Sequence, residues 1–207
     1  MTLGLIDYGS GNFGSVRNAL EHLKIDVRGV DHPEGMRSVD RLILPGVGAF
    51  ASAMRRLESS GLADALRESV EHRKIPILGI CVGMQVMASI GREFEDYPGF
   101  GWIGGDVERI RVDEEGPKLP HMGWNEVELN RSHPIFDGMN TPPIFYFVHS
   151  YHLSPRQPTD VLATCRHGNE VVAAVARDNI VGVQFHPEKS QRDGLRLLKN
   201  FADWSPN

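Results

Sequence analysis

A cysteine flanked by glycines stands where a buried apolar run gives way to a helical pattern. Residues 79–83 read Gly-Ile-Cys-Val-Gly, with Cys81 at the centre and Val82 directly after it. Small residues two positions before and after a nucleophile relieve crowding in a sharp strand-to-helix turn. At the helix N-terminus, free N–H groups and the helix dipole favour the thiolate form. The pattern predicts a nucleophilic cysteine with the Val82 N–H facing a developing oxyanion, and a buried structural cysteine is the alternative.

A histidine and a glutamate two positions apart supply the base that such a cysteine needs. Residues 184–188 read Gln-Phe-His-Pro-Glu, and in an extended segment His186 and Glu188 point to the same side. Pro187 favours that extended backbone at the residue before it. The Glu188 carboxylate can then orient the imidazole and stabilise its protonated form. Taken alone, the segment is more typical of a surface turn, but beside the cysteine it predicts a Cys-His-Glu triad.

A third segment, Gly46-Val47-Gly48, follows another predicted strand. A peptide flanked by glycines can approach a substrate closely and can rotate at low cost. In enzymes with this kind of cysteine or serine turn, one oxyanion donor comes from a loop after a neighbouring strand. The segment therefore predicts a second oxyanion donor, although plain turns of this composition are common.

A glycine-rich loop near the start of the chain points to a different function. Gly9, Gly11 and Gly14 match the G-x-G-x-x-G dinucleotide fingerprint between a strand and a helix, and Asp31 lies near the expected acidic position. This alternative is an oxidoreductase that binds a nicotinamide dinucleotide. Asp7, at the mouth of the turn, would repel a pyrophosphate, which favours a plain glycine turn and no cofactor.

Metal binding is weakly indicated. His149 and His152 are three positions apart, and Cys165 and His167 are two apart. Neither pair has a companion at the spacing of a zinc finger or of an H-E-x-x-H helix. We predict no metal site and interpret Cys165 as an inert core thiol.

The composition excludes several classes of protein. Hydrophobic residues make up 41% and charged residues 24%, as in globular proteins. The 22 Lys and Arg against 27 Asp and Glu give a net charge of −5 without a basic cluster, so we expect no nucleic-acid partner. We find no signal peptide and no apolar stretch of about 20 residues, and therefore predict no membrane contact. Two cysteines fit a reducing compartment, so a cytoplasmic location is expected.

Alternating strands and helices must position these segments. Short apolar runs predict buried strands at 3–6, 42–44 and 75–80. The spacing of Val16, Ala19, Leu20 and Leu23 predicts a helix after the first strand. Further helices are predicted at 49–57, 62–70, 82–90 and 191–201. Strand–helix–strand order indicates a mostly parallel sheet covered by helices on both faces.

The second half of the chain reads differently. Short strands separated by turns are predicted at 107–112, 126–129, 144–149, 161–164, 171–176 and 180–185. Their spacing indicates antiparallel additions to the parallel core. With no repeat and no linker, we predict one α/β domain over residues 1–207.

Six segments in order resemble the class I (triad) glutamine amidotransferases, and among them the glutaminases of histidine biosynthesis. The segments are residues 7–12, 44–50, 79–81, 120–125, 146–151 and 182–191. The resemblance implies a flavodoxin-like fold and hydrolysis of L-glutamine to glutamate and ammonia. It also implies a tunnel to a separate cyclase subunit, a (β/α)8 barrel that makes imidazole glycerol phosphate and aminoimidazole carboxamide ribotide. Amidotransferases of other pathways share the triad, so another acceptor enzyme remains an alternative.

The resemblance also assigns roles to polar and aromatic residues. Substrate glutamine is expected to contact Gln85, Glu93, Ser150 and Tyr151. The interface with the cyclase is expected to include Tyr8, Asn12, Trp124, Tyr146 and Lys189. The oxyanion segment would then act as a switch that keeps the isolated subunit slow. A catalytically silent regulatory module with the same fold is a further alternative.

Overall fold

The structure is a computed structural model and describes residues 1–206. The strands, in chain order, are β1 (Leu3–Ile6), β2 (Val27–Val30), β3 (Arg41–Leu44), β4 (Ile77–Ile80), β5 (Ile90–Arg92), β6 (Asp96–Pro98), β7 (Gly105–Arg109), β8 (His121–Glu126), β9 (Glu128–Leu129), β10 (Ile144–His149), β11 (Tyr151–Pro155), β12 (Val161–His167), β13 (Asn169–Arg177) and β14 (Ile180–Val183). The α-helices are α1 (Phe13–His22), α2 (Phe50–Ser59), α3 (Leu62–Arg67), α4 (Val82–Gln85) and α5 (Gln191–Asp203).

A central eight-stranded sheet has the order β2-β1-β3-β4-β14-β13-β12-β9. The first five strands pair in parallel, and β13, β12 and β9 extend the sheet in antiparallel fashion. The predicted α/β architecture, parallel with antiparallel additions, is confirmed.

The pairing of β4 with β14 positions the chemistry. These strands are parallel neighbours, with Ile80 opposite Val183. Cys81 follows the first strand and His186 lies three residues beyond the second, so both stand at the same edge of the sheet. Residues more than 100 positions apart in the sequence are thereby brought together.

Burial explains why the central strands form. Every residue of β1, β3, β4 and β14 is buried, as expected for parallel strands covered on both faces. On α5 the buried side chains include Leu197, Leu198 and Phe201, which form one apolar stripe facing the protein interior. Beyond that layer the rings of Phe145 and Phe185 stack at 3.8 Å.

Two smaller sheets surround the site. β8 and β10 form an antiparallel ribbon in which Trp124 lies opposite Tyr146 and Met122 lies opposite Val148. The other sheet has the order β11-β7-β5-β6. In the described part of the chain, no helix is long and apolar enough to cross a membrane.

The predicted helix over residues 82–90 is wrong beyond Gln85. A helix through residue 90 would need the N–H of Ser89 to donate to the Gln85 carbonyl and the Val86 carbonyl to accept from residue 90. Instead the N–H of Ser89 donates to the Gly105 carbonyl, and the Val86 carbonyl accepts from the N–H of Phe100. Tertiary donors replace the helical ones, and the chain turns into β5.

Other boundaries also shift. The helix predicted over residues 62–70 becomes α3 followed by a π-helical turn, Glu68–His72. The strands predicted at 107–112 and 180–185 are observed as β7 and β14, and the one at 126–129 is divided between β8 and β9. Four short strands, β2, β5, β6 and β11, have no counterpart among the strands predicted from the sequence.

Candidate active site

Cys81 occupies the sharp turn between β4 and α4. Its backbone has φ 54° and ψ −110°, a region that residues with side chains rarely adopt. A Cβ atom at Gly79 would lie 2.5 Å from the Gly83 carbonyl oxygen, and one at Gly83 would lie 1.8 Å from the Leu44 carbonyl oxygen. The flanking positions therefore require glycine, which lets the strained turn close around Cys81.

His186 and Glu188 form a buried pair. The His186 Nδ1 atom lies 2.8 Å from Glu188 Oε1, and both side chains are fully buried. Burial opposes protonation of the imidazole, but interactions with Cys81 and Glu188 outweigh it and raise the pKa of His186 to about 9. Because Nδ1 faces the carboxylate, Nε2 is left for chemistry with the cysteine.

Cys81 and His186 open into one cavity of about 330 Å³, within the range of small-molecule sites. The cavity is lined by Val47, Gly48, Cys81, Val82, Gln85, Glu93, Val148, His149, Ser150, Tyr151 and His186. All four residues expected to contact substrate are present. Glu188 stands behind the imidazole, and Gly46 stands behind Val82.

The backbone N–H of Val82 is already used within the protein. It donates to the Gly46 carbonyl oxygen at 3.3 Å. The preceding carbonyl, that of Pro45, accepts from the Tyr8 hydroxyl at 2.9 Å. The segment 45–48 thus fills the position where an oxyanion would bind, and its peptide must rotate before Val82 can serve as a donor.

Comparison with known proteins matches residues 4–204 to the family described as "Glutamine amidotransferase class-I". The chain belongs to this family. Proteins named "Imidazole glycerol phosphate synthase subunit HisH" are similar along its length. The one from Cereibacter sphaeroides is 46% identical, over 98% of each chain. Those from Ruegeria pomeroyi and Caulobacter vibrioides are 45% and 44% identical, over 100% and 99% of each chain.

Solved structures share the amidotransferase fold at lower identity. One titled "Crystal structure of glutamine amidotransferase" has a TM-score of 0.75 at 22% identity and covers 97% of both chains. A structure of PurLQS from Thermotoga maritima has a TM-score of 0.74 at 16% identity, covering 98% of this chain and 97% of that one. The resemblance to class I amidotransferases inferred from the six motifs is confirmed.

Two buried polar residues of this amidotransferase were missed as site residues. Gln184 is fully buried, and its Nε2 atom lies 3.7 Å from Cys81 Sγ. His149 lines the cavity and donates from Nδ1 to the Tyr151 carbonyl at 2.8 Å. Each lies two positions from a predicted site residue on an extended segment. Residues with this spacing point to the same side, so the sequence could have indicated both as site residues.

Two of the three histidines considered for metal binding, His149 and His167, are engaged otherwise. His149 Nε2 lies 3.0 Å from His121 Nδ1, whose ring stacks on His167. Burial lowers the pKa of His149 to about 3 and that of His121 to about 4, so both rings are neutral. Among residues 1–206, no group of three or more His, Cys, Asp or Glu side chains is arranged to hold a metal ion.

The residues expected at a partner interface fall into two groups. Trp124 is half exposed, and its ring meets that of Tyr146 edge-on at 5.8 Å. The Lys189 ammonium group lies 5.8 Å from the centre of the Tyr146 ring. Tyr8 and Asn12 are buried instead, and an interface role for them would require the loop around them to move.

The loop at residues 9–14 lies beside the triad. Asn12 donates from Nδ2 to Glu188 Oε1 at 3.3 Å. The N–H of Gly9 donates to the Asp7 carboxylate at 3.1 Å. A carboxylate therefore uses a donor that a pyrophosphate would need, which disfavours the dinucleotide alternative.

Proposed function

We propose that this protein is the glutamine-hydrolysing subunit of an imidazole glycerol phosphate synthase in histidine biosynthesis. The convergence of Cys81 with the His186–Glu188 pair at one cavity supports amide hydrolysis. The observation that carries the choice of this synthase among amidotransferase pathways is the full-length similarity to HisH subunits. The relatives that bear this name are 44–46% identical over at least 96% of this chain. We take residues 1–207 as one amidotransferase domain.

The triad supplies the chemistry of amide hydrolysis. The Cys81 thiolate attacks the side-chain amide carbon of glutamine, and a tetrahedral oxyanion forms. Protonated His186 gives its proton to the departing ammonia, which leaves a glutamyl thioester on Cys81. The neutral imidazole then takes a proton from water, whose oxygen attacks the thioester and releases glutamate. Glu188 holds the imidazole and stabilises its charged form.

The cavity supports recognition of a free amino acid. Both N–H groups of the Gln85 amide are used within the protein, so a bound glutamine would meet its Oε1 oxygen. The Glu93 carboxylate accepts from the N–H of Phe50 at 2.9 Å, which fixes it at the cavity wall. These acceptors suit an α-ammonium group, and the polar edge at Ser150 and Tyr151 suits the α-carboxylate.

The ammonia would pass to a separate cyclase subunit, a (β/α)8 barrel that makes imidazole glycerol phosphate and aminoimidazole carboxamide ribotide. Trp124, Tyr146 and Lys189, which we call the aromatic patch, are our candidate docking surface. An exposed Met122 extends it. The His186 backbone N–H donates to the Tyr146 carbonyl at 2.9 Å, and this direct contact supports a docking surface next to His186.

The closed oxyanion segment supports control by that partner. With Gly46 bonded to Val82, the tetrahedral intermediate lacks one of its donors, and loss of one such donor slows a reaction by about 10²–10³-fold. Docking would favour the rotated peptide, which offers an N–H of the segment 46–48 together with that of Val82. The two free, buried cysteines fit a reducing compartment, and we place the enzyme in the cytoplasm.

The test is reconstitution with a chosen acceptor. The chain is mixed with the cyclase of a relative, and formation of imidazole glycerol phosphate from glutamine is measured. Product formation with this cyclase, and none with an acceptor enzyme of another amidotransferase pathway, is the expected result. If only the other acceptor enzyme stimulated glutamine hydrolysis, the protein would instead be assigned to the pathway of that enzyme. Absence of labelling of Cys81 by an electrophilic glutamine analogue would indicate a silent regulatory module.

A further inference from the structure

The carbonyl of Tyr151 fixes the orientation of a buried glutamine side chain. It accepts from Gln85 Nε2 at 2.9 Å and from His149 Nδ1 at 2.8 Å. A carbonyl oxygen can only accept, so Gln85 must present its NH₂ group there. That same nitrogen lies 3.2 Å from Gln184 Oε1. Gln184 is therefore oriented with its oxygen towards Gln85.

The orientation of Gln184 decides what faces the nucleophile. With Oε1 bonded to Gln85, the NH₂ group of Gln184 is directed at Cys81 Sγ, 3.7 Å away. The side chain is fully buried, and its backbone N–H is held by the Ala173 carbonyl at 2.8 Å. A fixed, desolvated N–H donor next to a sulfur atom stabilises the thiolate over the thiol.

We propose that Gln184 is a positioning residue that donates a hydrogen bond to the Cys81 thiolate and holds its sulfur towards the cavity. The proposal rests on the proposed function, since it assigns Gln184 a part in that reaction. Unlike His186, the Gln184 amide does not titrate. It therefore remains a donor when His186 is neutral, and again when Cys81 leaves the thioester as an anion.

The first test measures alkylation of Cys81 by iodoacetamide as a function of pH, in the full chain without partner. Mass spectrometry separates Cys81 from Cys165. In Gln184→Met we expect the pH midpoint to rise by about one unit, because a hydrogen bond to a charged group is lost. In Gln184→Glu, which keeps the acceptor for Gln85 but brings a carboxylate to the sulfur, the midpoint should rise further. The matched control is Gln157→Met, at an exposed glutamine, with an unchanged midpoint.

A second measurement separates this proposal from the proposed function. In the complex, kcat for glutamine should fall at least about tenfold in Gln184→Met while KM stays near the wild-type value. A wild-type complex that hydrolyses no glutamine would refute the proposed function. An active wild type whose midpoint is unchanged in folded Gln184→Met refutes the role of Gln184 alone. Should Gln184→Met not fold, Gln184→Leu, which also lacks the N–H donor and adds no charge, is measured and decides in the same way.

Discussion

The backbone N–H of Val82 donates to the carbonyl oxygen of Gly46 at 3.3 Å. The peptide group best placed to bind an oxyanion is therefore occupied by the protein itself. Gly46 is required for this contact, because a Cβ atom there would lie 2.7 Å from the Gly83 nitrogen. Cys81 and His186 face one cavity, and His186 is bonded to Glu188, but the N–H of Val82 is not free to bind a developing oxyanion.

Removal of the Tyr8 hydroxyl is expected to loosen the closed segment. Burial raises the pKa of Tyr8, so its hydroxyl keeps its proton at neutral pH and donates to the Pro45 carbonyl. Losing a hydrogen bond of about 1 kcal/mol shifts a two-state equilibrium up to about fivefold. Tyr8→Phe should therefore raise glutamine hydrolysis by the isolated chain several-fold. Tyr97→Phe, which removes a surface hydroxyl bonded to Glu58, is the control. Equal basal rates in all three proteins would contradict the prediction.

The partner should raise the rate of glutamine hydrolysis. We expect low turnover for the isolated chain and an increase of about 10²-fold or more with the cyclase and its ligand, as the second oxyanion donor becomes available. Ammonia or glutamate release is measured in both states. Equal turnover in the two states would refute coupling through the segment 46–48.

Replacement of the nucleophile should separate the two activities of the complex. In Cys81→Ala, synthesis that depends on glutamine should fall to background, while synthesis from added ammonia should continue at the wild-type rate. Cys165→Ala, at the other buried cysteine, should retain both. Loss of both activities in Cys81→Ala would indicate a structural role for that cysteine instead.

Removal of the Glu188 charge should change the pH dependence. The pKa of His186 is raised to about 9 because its interactions with Cys81 and Glu188 outweigh the effect of burial. Since Glu188 favours the protonated ring, Glu188→Gln lowers that pKa, and the alkaline limb of kcat/KM moves from about pH 9 towards neutrality. We also expect at least a tenfold lower kcat/KM at pH 7. An exposed carboxylate, changed in Glu170→Gln, serves as control. If the alkaline limb of kcat/KM in Glu188→Gln stays at the wild-type pH, deprotonation of His186 is not the cause of that limb.

Truncation at the aromatic patch should weaken docking. A central, half-exposed tryptophan is typical of residues that dominate interface energetics, so Trp124→Ala should raise Kd for the cyclase at least about tenfold. Binding is measured by titration calorimetry. Leu129→Ala, an exposed apolar side chain at the sheet edge, should leave Kd unchanged. If Leu129→Ala raised Kd and Trp124→Ala did not, the docking surface would lie at β9 and not at the aromatic patch.

Local sequence patterns predicted which residues form the candidate triad better than they predicted the strand order that brings those residues together. Glycines around Cys81 and the spacing of His186 and Glu188 were sufficient to propose a triad. The strand order that makes β4 and β14 neighbours depends on pairings across the whole chain, so it could be inferred only from family resemblance. The helix after Cys81 ends early because the N–H of Phe100 binds the Val86 carbonyl and the N–H of Ser89 binds the Gly105 carbonyl, a competition that periodicity does not reveal.

The polar network around the nucleophile was the least predictable part. Gln184 and Cys81 are separated by 103 positions, and no spacing rule links them. The direction of the Gly46 carbonyl likewise depends on the rotation of one peptide group. Glycines permit either orientation, so the sequence does not predict which one is adopted.

Tyr146 takes part in both the proposed docking surface and the candidate active site. Its ring is part of the aromatic patch, and its carbonyl accepts a hydrogen bond from the His186 N–H. If the patch is where the cyclase docks, recognition and turnover share a single residue there. A hybrid enzyme would combine this subunit with a cyclase from a distant species. A small mismatch between the two would then lower the rate of ammonia release, and only a larger mismatch would prevent the subunits from assembling.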